Sequence, residues 1–219
     1  MLIRTITDFA PENAEVGVGL ALQADDGRYL FFLAGTRHRC APGELFYAGV
    51  GGHREAGEAW LACARREARE EIGVEIEIMD TPVTFHISRR HVVRPVEVDN
   101  RPRPLALYEM IHLPGTKRAG QIYRLVIYRA RPTGLPHDLP LDELQGIIAL
   151  TPDQVRRGPQ RRPTLAELLE QGAAIIAGTE YISKNVRLYP IGTALALAHV
   201  LCYTNEPELL PAVADRSLI

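Results

Sequence analysis

Three glutamates, Glu67, Glu70 and Glu71, fall within little more than one helical turn of the stretch GGHREAGEAWLACARREAREEIG, residues 51–73. On a helix, residues three and four apart are surface neighbours, so Glu67 faces both Glu70 and Glu71, and each pair repels by roughly a few tenths of a kcal/mol. Arg65, Arg66 and Arg69 lie close by, but a rotation of ~100° per residue turns Arg65 and Arg69 away from the Glu67 side. Neighbouring arginines therefore cannot neutralise all three carboxylates. Oxygen ligands crowded on a rigid helix suit a hard cation such as Mg²⁺ or Mn²⁺, which keeps waters that exchange for phosphate. Pyrophosphate linkages are the substrates that such an ion serves, by offsetting charge on the bridging phosphates and polarising phosphorus toward attack by water.

The elements around this stretch must hold it still. The Ala, Leu, Arg and Glu-rich segment 58–72 predicts a helix with the apolar stripe Leu61, Ala64, Ala68 and Ile72, stopped by Gly73. The glycines of AGVGGHREAG break regular structure before it. Two β-rich runs around Asp25-Asp26-Gly27 predict a hairpin, and a short strand follows near Phe46 and Tyr47. Further strand-like runs are VEIEIM, PVTFHIS, LALYEMIHL, QIYRLVIYRA and GIIAL. After them, TPDQVRR reads as a short helix and RRGPQRRP as an exposed linker. Thr164 with Glu167 forms a capping box opening LAELLEQ, and IGTALALAHVLCY reads as a last, nearly all-apolar helix that must be buried.

Composition narrows the function classes. At 219 residues the chain can bury one sizeable core, and a formal net charge of -2 gives no global reason to expect nucleic-acid binding. Cys40, Cys63 and Cys202 are odd in number and widely spaced, which reads as reduced thiols rather than a disulfide framework or a zinc site. The N-terminus has no apolar run of signal-peptide length, and the longest apolar stretch is about half a membrane span. The expectation is a cytoplasmic protein with no membrane and no nucleic-acid partner.

The spacing Gly52, five residues, Glu58, seven residues, Arg66-Glu67-Ala68-Arg69-Glu70-Glu71-Ile72-Gly73-Val74 fills every fixed position of the Nudix hydrolase signature, and the chain resembles that MutT-like family. Seven fixed residues match by chance roughly once in 10⁸ starting positions at average usage. The resemblance implies an α/β fold, a Nudix α/β/α sandwich around a mixed β-sheet. A catalytic domain over residues 1–157 and a helical C-terminal extension over 158–219, packed on the domain or in a homodimer interface, complete the expected organisation. By the family pattern Glu67, Glu70 and Glu71 bind Mg²⁺ or Mn²⁺, helped by a backbone carbonyl at Gly51. Arg66 orients Glu67, and Glu58 braces loop and helix or touches a second ion through water. The base that takes the proton of the attacking water varies within the family; Glu70, Glu109 and Glu143 are the candidates here. The implied partner is a small-molecule diphosphate, a nucleoside diphosphate derivative such as an ADP-sugar or a nucleoside triphosphate.

Plainer readings stand beside these. A charged helix without the glycines and the spacing is a solvated face. Arg156, Arg157, Arg161 and Arg162 read first as a polar linker and second as phosphate contacts; His86, Arg89 and Arg90 read as a solvated loop edge or as substrate contacts. Phe46, Tyr47 and Tyr108 read as core before base-stacking groups. A regulator that senses a nucleotide without cleaving it and holds DNA through its C-terminal part is the alternative from another class. Residues 158–219 carry five basic against six acidic side chains, however, and a DNA-reading domain should be basic.

Overall fold

The computed structural model describes residues 3–112, 118–140, 142–178 and 182–204. In chain order these form helix α1 (Ile6–Phe9), strands β1 (Val16–Gln23), β2 (Tyr29–Ala34) and β3 (Glu44–Ala48), helix α2 (Trp60–Ile72), then strands β4 (Ile76–Met79), β5 (Thr84–Ile87), β6 (Val93–Val96), β7 (Ala106–Ile111), β8 (Ile122–Pro132) and β9 (Leu144–Leu150). Helices α3 (Pro152–Arg161) and α4 (Leu165–Glu170), strands β10 (Ala174–Ala177) and β11 (Arg187–Pro190), and helix α5 (Gly192–Thr204) follow.

The sheet is mixed and runs β10-β9-β2-β1-β8-β7-β5-β6, with β3 and β11 continuing from β2 and with β4 on β8. Strands β1 and β8 are parallel in the register Val18↔Val126, while β1 and β2 close the hairpin expected at Asp25-Asp26-Gly27. Alternation along β1 divides the core between two faces. Val18, Leu20 and Leu22 pack with Cys63, Ala64, Ala68 and Ile72 of α2 on one face. Ala21 belongs to the other, with Val155 of α3 and Ala194, Leu197 and Ala198 of α5. These layers are the α/β/α sandwich around a mixed sheet.

Helix α5 approaches β1 so closely that a Cβ on Gly19 would sit 2.0 Å from Thr193 Oγ1. Six of its residues are buried, as its nearly uniform apolarity requires. The segment after 158 also supplies two strands: β10 pairs antiparallel with β9, and β11 parallel with β3. Residues 179–181 and 205–219 of the expected extension, and Leu113 of one expected strand, lie outside the described residues.

One linker expectation is corrected. RRGPQRRP does not leave the fold as an exposed linker, because α3 continues through Gly158 and Pro159 to Arg161. Gly158 is buried, with the Tyr47 hydroxyl 2.1 Å from where its Cβ would lie, so packing on the sheet holds a helix that its Gly-Pro pair argued against.

Candidate active site

Helix α2 begins at Trp60, two residues later than the sequence pattern suggested, and ends where Gly73 adopts φ 69° and returns its N–H to the Arg69 carbonyl. Its amphipathic stripe fixes the rotation about its axis. Ala64, Ala68 and Ile72 face the sheet, which leaves Glu67 buried at the edge of the contact, Glu71 partly buried and Glu70 exposed. The loop before it runs antiparallel to β1, with Val18 N–H donating to Gly52 O at 2.9 Å and Arg54 N–H to Val16 O at 3.2 Å.

That pairing brings the loop glycines onto the helix carboxylates. A Cβ on Gly52 would lie 2.5 Å from Glu67 Oε2, so only glycine leaves room for the carboxylate. Gly51, at φ 145°, donates its N–H to Glu71 Oε2 at 3.0 Å. The sequence pointed to the Gly51 carbonyl; the contact formed here is through its N–H.

Arg66 organises most of the remaining charge. Its Nη1 donates to Glu67 Oε1 at 2.7 Å and to Glu70 Oε2 at 2.9 Å, while Nε and Nη2 donate to the two Glu58 oxygens at 2.9 and 3.1 Å. Nη2 also donates to the His53 carbonyl at 3.1 Å. The fork holds the Glu58 carboxyl down at about 2, despite its burial, with help from the Glu55 N–H. Arg69 turns away to pair with Glu75.

No described residue gives Glu71 such a partner. Burial pushes its carboxyl up to about 8; the Gly51 hydrogen bond opposes this, and the charges of Glu67, Glu143 and Glu70 add to it. Glu67 is also raised by burial, with Arg66 pulling the other way. Among the described residues no cation pairs with Glu71, and no three His, Cys, Asp or Glu side chains converge as a ready-made ion site. The donor set nonetheless fits a hard divalent cation: it is all carboxyl oxygen, and a cation at Glu71 would favour the ionised form that burial opposes.

The two later acids separate. Glu143 lies near enough for its charge to be felt at Glu71 and pairs with Arg37. Glu109 stands 3.6 Å from His86 Nε2 and accepts from the Arg89 N–H at 3.3 Å, which joins it to that loop edge instead. Arg156 and Arg157 pair with Asp153, and Arg162 with Glu44 while lying 5.1 Å over the Tyr189 ring. Phe46, Tyr47 and Tyr108 are buried in the cores.

Sequence reasoning missed a group beside the loop. Glu15 binds His53 and His112, each through Nε2 at 3.0 Å, together with Arg118. His53 sits inside the motif, but it lies 38 positions from Glu15, and His112 and Arg118 lie 97 and 103 positions from Glu15, so no local spacing announces the group.

A family model described as NUDIX domain matches residues 14–170. No curated protein matches the chain significantly. Among solved structures the chain is similar to a NUDIX hydrolase from Nitrosomonas europaea, at 18% identity over 66% of this chain and 76% of that one, TM-score 0.44. It is similar to a NUDIX-family hydrolase from Clostridium perfringens at 14% identity over 66% and 86%, TM-score 0.45. It is also similar to the E. coli dihydroneopterin triphosphate pyrophosphohydrolase at 18% identity over 65% and 86%, TM-score 0.38.

Proposed function

Because the chain belongs to the Nudix hydrolase family, we propose that it cleaves the diphosphate linkage of a nucleoside diphosphate derivative, such as an ADP-sugar, or of a nucleoside triphosphate, with water attacking phosphorus. The observation that carries this reading is the buried Glu71 carboxyl, unpaired by any cation among the described residues, set beside Glu67 and Glu70 on one helical turn and against the Gly51-Gly52 backbone.

Glu67, Glu70 and Glu71, with the Gly51 carbonyl, would hold Mg²⁺ or Mn²⁺. When bound, such an ion supplies charge neutralisation on the diphosphate and polarisation of phosphorus. The rest falls to side chains of the chain itself. Arg66 orients Glu67 and Glu70 and ties them to Glu58, which braces the loop against the helix. Glu143 is favoured over Glu109 as the later acid that accepts the water's proton, since its charge reaches Glu71; Glu70, exposed at the helix surface, is the other candidate. The thiols of Cys40, Cys63 and Cys202 fit a reducing, cytoplasmic setting.

The test is a screen of nucleoside diphosphate sugars, other nucleoside diphosphate derivatives and nucleoside triphosphates with Mg²⁺ or Mn²⁺, followed by identification of products. Cleavage to two phosphate-bearing products, or to a nucleotide and pyrophosphate or phosphate, supports the proposal. No turnover of any diphosphate, together with tight duplex binding in a low-salt gel shift, would replace it with the sensing role.

A further inference from the structure

The glycine loop that carries Gly51 and Gly52 is held from the far side by side chains that the reaction scheme leaves unused. Glu15 immediately precedes β1, and its side chain is only 15% exposed. Its Oε1 accepts from His53 Nε2 at 3.0 Å and from Arg118 Nη1, and its Oε2 pairs with His112 Nε2 at 3.0 Å. The His53 and His112 rings both lie against Tyr123, with centroids 4.8 and 5.5 Å away. Tyr123 in turn presses its hydroxyl over Gly17, the residue bridged to His53 across the loop.

His53 is the member that matters for chemistry. Its ring belongs to this cluster, while its carbonyl accepts from Arg66 Nη2 at 3.1 Å. The same guanidinium holds Glu58, Glu67 and Glu70. An unbroken series of contacts therefore runs from the Glu15 carboxylate through the His53 ring and backbone to Arg66 and the proposed metal carboxylates. The loop needs that restraint, because Gly51 and Gly57 take φ values of 145° and 76°, and Gly52 adjoins Gly51, so the backbone itself resists motion little.

We propose that Glu15 is a positioning residue for the reaction: acting through the His53 ring, it fixes the loop carbonyl that seats Arg66, with His112, Arg118 and Tyr123 bracing the link. The inference rests on reading Glu67, Glu70 and Glu71 as the metal site. Partners that orient ligating side chains typically change metal affinity by about 10–100-fold when removed.

The experiment compares the full chain with Glu15→Gln and His53→Gln variants by two readouts: Mn²⁺ binding followed by electron paramagnetic resonance, and solvent exchange of the Arg66 Nε–H by ¹⁵N NMR. The His53 side chain is 62% exposed, so its replacement leaves the core intact. Both variants should weaken Mn²⁺ binding about tenfold and speed Arg66 exchange. The double variant should be no worse than either single one, since both act on one path. Arg69→Ala, on the same helix but paired with Glu75, should move neither readout. Unchanged Mn²⁺ affinity and unchanged Arg66 exchange in either folded variant would overturn the proposal. A wild type that binds no Mn²⁺ would sink the metal-site reading instead, and Arg66 exchange in the variants would still decide whether Glu15 positions that guanidinium.

Discussion

Glu71→Gln in the metal-free protein isolates the electrostatic tension on which the site depends. Burial pushes the Glu71 carboxyl up to about 8, whereas an unfolded glutamate titrates near 4.3. The sign follows from linkage. An acid raised in the folded state leaves stability intact below its unfolded value and removes it as pH rises toward the folded value. At about 1.4 kcal/mol per pH unit, the loss between pH 5 and pH 9 is roughly 4 kcal/mol as an upper bound, on the order of 10 °C in Tm for a chain of this size. Glutamine stays neutral and can still accept from the Gly51 N–H, so the variant should lose far less over that range; Glu67, raised by burial too, leaves a smaller remainder. Unfolding in urea or by heat, with EDTA, at pH 5, 7 and 9 measures the difference. The variant should match wild type near pH 5 and exceed it clearly at pH 9. Added Mg²⁺ should then restore wild type at pH 9 and raise the variant much less. Parallel stability curves for the two proteins across pH would refute the reasoning.

Gly52→Ala should reduce Mg²⁺ affinity at least about tenfold and cost roughly 1–3 kcal/mol, because its Cβ would lie 2.5 Å from Glu67 Oε2; unchanged metal titration would show that Glu67 does not need its present place. Glu58→Gln should destabilise at pH 7 by about 1–3 kcal/mol through the lost Arg66 fork. A carboxyl held low contributes above its unfolded value and loses that contribution as pH falls toward about 2, so the two melting curves should converge in acid. Gly158→Ala gains about 1 kcal/mol in helix propensity but drives a Cβ to 2.1 Å from the buried Tyr47 hydroxyl, and a lower Tm relieved by Tyr47→Phe is expected. A higher Tm for Gly158→Ala alone would mean that α3 does not press on Tyr47 as described.

The carboxylate turn was legible because its chemistry demands fixed residue types at fixed spacing within one contiguous stretch, and α2, its Gly73 stop and the Asp25-Gly27 hairpin are local features with local signals. The Thr164 capping box was legible for the same reason, and both its hydrogen bonds are formed. What escaped was decided by distant partners. Strands β6, β10 and β11 exist because β5, β9 and β3 offer edges for them to pair with. Helix α3 runs through Gly158-Pro159 because its Gly158 face packs on Tyr47, against its own propensity. Glu15 joins His53 of the loop before α2 with His112 and Arg118 beyond β7, and its role depends on a backbone carbonyl that no side-chain pattern encodes.

The central claim, that these carboxylates support attack of water at phosphorus, is tested most directly by turning over a cleaved substrate in ¹⁸O-water with Mg²⁺. The expected result is one phosphate-bearing product carrying the label, formation of both products abolished by EDTA, and a rate reduced by orders of magnitude in Glu71→Gln. Label on carbon alone, or a rate that neither EDTA nor Glu71→Gln changes, would contradict it.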